Sequence, residues 1–143
     1  MHRNGAAIWR QMTLREPAFE SDAQLKILEE LGRLGPKLAP DARVGVTWAG
    51  LPAYFSSYEM VDMLGYNDRH IAHLPASVRL TTAEPLKYLP GHAKCDYDYI
   101  LGTLKPDIVL SHLFRFGEVP IQKWGYRRQG PYFVRLGSTK VHL

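Results

Sequence analysis

The sequence predicts a small three-layer α/β domain with a mostly parallel sheet and an antiparallel C-terminal edge. Three observations carry this. The apolar stripe Leu25, Ile27, Leu28, Leu31, Leu34 and Leu38 has helical spacing and leads through a proline turn into the strand-favouring segment Arg43–Ala49. A second helix-then-strand unit runs from about His92 to Leu104 and on into "DIVLSH", with Lys105-Pro106 as the break between them. The C-terminal "WGYRRQGPYFVRLGSTKVHL" reads as two short strands around Gln129-Gly130-Pro131. At 143 residues the chain fits a single domain, 1–143. Such a domain buries about two-thirds of the surface its unfolded chain exposes, enough for a real core.

Taken in order, residues 1–21 show no clear period, and Pro17 with its polar flanks predicts an extended N-terminal segment. Ser21-Asp22 offers a helix cap, and Glu29, Glu30, Arg33 and Lys37 give the following helix its polar face. Gly35-Pro36 loosens its end and Pro40-Asp41 starts a turn. Gly50 and Pro52 end the first strand. A turn or short helix is expected at Ala53–Ser57 and a second strand at Glu59–Leu64, stopped by Gly65. "NDRHIAHLP" predicts a helical turn capped by Asn67 or Asp68 and stopped by Pro75. "VRLTTAEPLKYLP" reads as a loop with one extended piece. In the later helix Tyr97, Ile100, Leu101 and Leu104 share a face.

Composition excludes several classes. Hydrophobic residues make up 45% and charged residues 22%, ordinary globular values that argue against global disorder. No run approaches the ~20 apolar residues that span a bilayer, and the N-terminus lacks the apolar core of a signal peptide. The chain as written is expected neither to export nor to anchor itself. Its single cysteine, Cys95, excludes an internal disulfide and a zinc–thiolate cluster. His92 stands one helical turn from Cys95, but papain-like enzymes draw such pairs from distant segments, so Cys–His catalysis is disfavoured. Net charge is +4, and the segment Arg115–Lys140 carries Arg115, Lys123, Arg127, Arg128, Arg135 and Lys140 against only Glu118. Such a segment can meet phosphates, or it can be a solvated strand face.

Asp62, Asp68, His70, His73, His92, Asp96 and Asp98 are metal-ligand types. His70 and His73 are spaced to share a helix face, yet HxxH without a flanking Glu is weak. No metal, cofactor or catalytic residue is therefore assigned, and Asp68 reads as a cap. Asp62 closes the second strand, where parallel sheets bind ligands. There it either accepts sugar hydroxyls or fixes the Leu64-Gly65 corner as an Asx turn, and both readings stay open. Trp48, Tyr54, Phe55, Tyr58 and Tyr66 can build a sugar-stacking platform, with core packing as the competing use. "WAGLP" lacks the dinucleotide and P-loop signatures. A helix starting at Gly91-His92, with Lys94 beside it, would attract an anion. The candidate binding residues are thus Trp48, Tyr54, Asp62, Asp68, His92 and Lys94.

Several blocks, in this order, resemble a known pattern: Ala49-Gly50, Tyr54-Phe55-Ser56, Asp62 to Asp68, Ile71-Ala72, Gly91-His92 with Lys94, and Lys105-Pro106-Asp107. The resemblance is to the soluble C-terminal domain of polytopic bacterial glycosyltransferases of the GT-C type. That group includes enzymes similar to dolichyl-phosphate-mannose protein mannosyltransferases and mycobacterial arabinofuranosyltransferases. It covers about Asp22 to Leu110. In that family the catalytic acid sits in an early extracytoplasmic loop between membrane helices, and the sugar donor rides on a polyprenyl phosphate. This chain shows neither the helices nor that loop. The resemblance implies an accessory domain, not catalytic alone. Its partners would be a glycan or polyprenyl-phosphate sugar and a membrane glycosyltransferase subunit. As part of a larger transferase it would stand at the extracytoplasmic face of the membrane; as a stand-alone chain it would be cytoplasmic. A small metal-dependent hydrolase using the His/Asp cluster and a basic nucleic-acid-binding module are the alternatives, with nucleic acid disfavoured.

Overall fold

The computed structural model describes residues 19–47, 49–75, 94–110 and 120–143, with side chains from residue 24 onward. Helix α1 (Phe19–Leu34) leads through a 3-10 turn (Gly35–Lys37) to strand β1 (Arg43–Val46). Helix α2 (Gly50–Phe55), strand β2 (Glu59–Asp62) and the single turn α3 (Arg69–Ala72) follow. A π-wound segment (Asp98–Leu104) precedes strand β3 (Ile108–Leu110). A 3-10 turn (Ile121–Trp124) then leads into the hairpin of β4 (Tyr126–Gln129) and β5 (Tyr132–Arg135).

The five strands form one sheet in the order β2-β1-β3-β5-β4. β1 pairs in parallel with both β2 and β3, while β5 runs antiparallel to β3 and β4. Alternation along each strand divides the side chains between two layers. Val44 and Val46, Ile108 and Leu110, and Val134 face α1, where they meet Ile27, Leu31 and Leu34. Val61, Val109 and Tyr126 face the other way, toward Ile71, Ile100, Leu101 and Ile121. The domain is therefore a three-layer α/β fold, with a parallel core of three strands and an antiparallel C-terminal edge.

The boundaries differ from the sequence expectation in informative places. Residues 19–21 are helical, so the extended N-terminal segment does not reach residue 21, and residues 1–18 lie outside the described residues. Leu25 is 50% exposed, off the face that buries Ile27, Leu31 and Leu34. α2 begins at Gly50 rather than Ala53, because Pro52 sits in its first turn, where no amide is needed. The free amide of Leu51 donates to Gln24 Oε1 of α1 at 2.8 Å. The proline read as a strand breaker thus also opens a helix.

The expected helix from His92 is corrected more strongly. Lys94, Cys95 and Asp96 are not helical; helical geometry starts at Tyr97, and Asp96 Oδ1 caps it by accepting from Tyr99 N at 2.9 Å. The winding is wide, with Lys105 N donating to Ile100 O at 2.9 Å, a five-residue step. Lys105 (φ 50) ends the segment in the left-handed region, just ahead of Pro106. The predicted C-terminal hairpin is present, and Gly130 (φ 61) takes the first of its two loop positions.

Candidate functional site

An open groove of about 580 Å³ runs along the outer edge of β2. One wall is α2, through Gly50, Ala53 and Tyr54; the other is the turn after β2, through Asn67 and Asp68. Arg43, Glu59 and Leu104 close one end. Met63 N donates to Val46 O at 3.0 Å, so the two-residue alternation of a parallel pair turns the main-chain groups of Met60 and Asp62 outward along this edge.

Tyr54 is the most exposed large apolar side chain of the groove, 82% accessible, and its ring meets Phe55 edge-on at a centroid distance of 4.9 Å. Phe55 and Tyr66 are also well exposed, whereas Tyr58 packs against the α1-side core. Core packing therefore does not account for Tyr54, Phe55 and Tyr66. α2 is too short to turn more than one face inward, and that face is taken by Pro52.

The two acidic candidates border the same groove but are committed to the backbone. Asp62 is buried; its Oδ1 accepts from Leu64 N (3.0 Å) and Gly65 N (3.1 Å), and its Oδ2 accepts from Asn67 N (2.8 Å). Of the two readings left open for it, the Asx turn is formed, and Asp62 also lines the groove. Asp68 caps α3, with Oδ1 accepting from Ile71 N at 2.9 Å and Oδ2 from the Tyr99 hydroxyl at 3.2 Å. Lys94 lies away from the groove lining, its Nζ donating to Ala72 O at 2.6 Å. Lys94 precedes the helical start at Tyr97, and the Gly91-His92 part of the expected anion site lies outside the described residues. Trp48 and His92 lie outside the described residues.

At one mouth of the groove, Arg43 Nε donates to Glu59 Oε1 at 2.9 Å, and another Arg43 nitrogen donates to Leu104 O. The sequence reading missed both side chains as site residues. The signal was there: they are opposite charges at the first residue of two expected strands, and a parallel in-register pairing sets them side by side.

The two histidines have separate hydrogen-bond partners. His70 Nε2 lies 3.0 Å from Asp96 Oδ2, and its ring stacks on Tyr99 at 4.1 Å. His73 Nδ1 instead donates to Arg69 O at 2.7 Å. Among the described residues no three His, Cys, Asp or Glu side chains gather as metal ligands. Burial pushes the Cys95 thiol up to about 12, opposed by a Tyr97 hydrogen bond and aided by the charge of Asp96. It is not a thiolate nucleophile at neutral pH. No described helix is long and apolar enough to cross a membrane.

The groove thus presents an exposed aromatic ring, outward main-chain groups, and an Arg–Glu pair with Asn67 on its lining. No curated protein and no solved structure matches the chain. A family does match over residues 10–140, most of the chain, and on that extent the chain belongs to the domain of unknown function DUF8728.

Proposed function

We propose that this domain is a non-catalytic glycan-binding module, accessory to a glycosyltransferase that uses polyprenyl-phosphate sugars and is carried by a membrane partner. The observation that carries the reading is Tyr54, a ring 82% exposed on the wall of a groove with polar side chains opposite. A sugar presents an apolar face and a rim of hydroxyls. A ring stacks on the face, while Asn67, Arg43 and Glu59 can donate to or accept from the rim. The resemblance to the soluble domain of GT-C type enzymes supplies the system. On this reading the domain stands at the extracytoplasmic face of the membrane when it forms part of such a transferase. Asp62 and Asp68 serve the site by fixing its wall.

The test is an NMR titration with short glycans and phosphosugars. Saturable shifts are expected at Gly50, Tyr54 and Asn67, with a dissociation constant around millimolar (~4 kcal/mol). Tyr54→Ala is expected to abolish them without lowering stability, since the ring is exposed. Binding left intact by Tyr54→Ala, or shifts confined to the C-terminal hairpin, would place recognition elsewhere. Turnover of a polyprenyl-phosphate sugar by the isolated chain, above a heat-inactivated control, would overturn the non-catalytic reading.

A further inference from the structure

We propose that the C-terminal hairpin and the tail that follows it form a second site, for a phosphate-type anion, at the sheet edge opposite the groove. The segment Arg115–Lys140 is basic, with Glu118 its only acidic residue. Most of its cations have a local explanation. Lys123 pairs with Asp98 at 2.9 Å and Lys140 with Asp41 at 2.8 Å. Arg128 Nε donates to Gly130 O across the hairpin loop at 3.1 Å. Arg135 pairs with the buried Asp107. The Arg127 side chain has no hydrogen-bond or ion-pair partner among the described residues.

Arg127 stands on β4, an edge strand, and borders a pocket of about 210 Å³. Arg135, Ser138 and His142 border it too, as do Val134 and Val141, and no acidic side chain does. Arg135 contributes a further mark. One of its guanidinium nitrogens reaches Asp107, but Nε is buried and has no hydrogen-bond partner among the described residues. A buried donor without an acceptor is rare in a folded protein and calls for one.

Guanidinium groups match a phosphate better than a point cation does, since their planar forks donate in pairs to its oxygens. His142 adds an imidazole ring to the pocket lining. This pocket is lined from β4, β5 and the tail, while the glycan groove is lined from β1, α2, β2 and the turn after β2, and the two share no lining residue. The two sites therefore stand or fall separately. The same chemistry is offered by a free phosphate ester and by a lipid phosphate headgroup.

The experiment titrates the isotopically labelled full chain with inorganic phosphate at ionic strength held constant with sodium chloride. Saturable amide shifts are expected at Arg127, Gly137, Ser138 and His142. Arg127→Gln is expected to weaken binding about tenfold and Arg127→Lys to restore part of it. Both variants should fold, because Arg127 is exposed and unpaired. In a second arm the protein is sedimented with phosphatidylcholine vesicles, with and without phosphatidic acid. Saturation by phosphate assigns a soluble phosphate ligand; binding only to the phosphatidic acid vesicles, lost in Arg127→Gln, assigns a headgroup. No response in either arm, an unsaturable drift spread over all surface cations, or an unchanged response in Arg127→Gln would overturn the proposal.

Discussion

Asp62 has both carboxylate oxygens filled by main-chain donors, and Asp68 has one oxygen on an amide and the other on a phenol. Truncating them should therefore have unequal effects. Asp62→Ala strips the acceptor from three buried or half-buried amides and is expected to cost about 3 kcal/mol, since unsatisfied groups cost ~1–3 kcal/mol each and part of the turn can relax toward water. Asp68→Ala removes a helix cap and is expected to cost about 1 kcal/mol. Urea unfolding of both variants checks the order, and a larger loss from Asp68→Ala would contradict it. Chelation with EDTA should leave both curves where they are. The cap was legible in the sequence, because Asp before a short apolar-periodic turn has few other uses. The role of Asp62 was not. Whether its carboxylate curls back on its own turn depends on the backbone angles of the next three residues, and residue types do not state these.

Among elements, the turn from β2 to α3 hinges on Gly65. Its φ of +77 lies in the left-handed region, and a Cβ placed there would stand 2.4 Å from Ile71 Cβ and Cγ2. Ile71 is itself fully buried between α3 and the sheet. Gly65→Ala thus meets two penalties together, backbone strain of ~1–2 kcal/mol and a clash with a core side chain that cannot move outward. A loss of about 3 kcal/mol or more is expected by thermal or urea unfolding. Stability within ~0.5 kcal/mol of the parent would show that the turn can be rebuilt. The sequence supplied the stop at Gly65 but not its reason, which is the close approach of Ile71. Element types were legible wherever one face is apolar, as in α1 and in β1. The boundaries that failed were set by single contacts: Gln24 receiving the amide of Leu51, and Asp96 capping at Tyr99. Both are side chains that a periodicity argument passes over. The wide winding of Asp98–Leu104 also leaves no mark in the spacing of Ile100, Leu101 and Leu104.

For the whole molecule, the parallel core was legible because β1 and β3 are short apolar runs, as expected of strands covered on both faces. The order of strands was not, since it depends on which side of β1 the chain returns to. One residue, Asp107, ties that order together at the amino end of the sheet. Its amide donates to Arg43 O at 2.8 Å and its carbonyl accepts from Arg135 N at 3.0 Å. Its carboxylate accepts from Arg43 N (3.0 Å), from the Ser138 hydroxyl (2.8 Å) and from the Arg135 guanidinium. β1, β3, β5 and the tail therefore meet on a carboxyl group that is 1% exposed. Burial works to raise its pKa, but the Arg43 amide, the Ser138 hydroxyl and the Arg135 charge outweigh burial and hold it below the ordinary 3.8. A folded-state pKa lower than the unfolded one means the native state resists protonation. The stabilisation is complete above the unfolded value, near pH 4, and is lost as pH falls through the folded one. Melting temperature followed from pH 7 down to pH 2 should fall in the parent below about pH 4. Asp107→Asn keeps an oxygen for some of these donors but loses the charge. It should melt lower at pH 7, and the gap to the parent should narrow on acidification as the parent loses the same charge. Parallel curves over the whole range would mean that the carboxylate charge contributes nothing that a neutral amide does not, and that the backbone bonds alone hold the three strands in order.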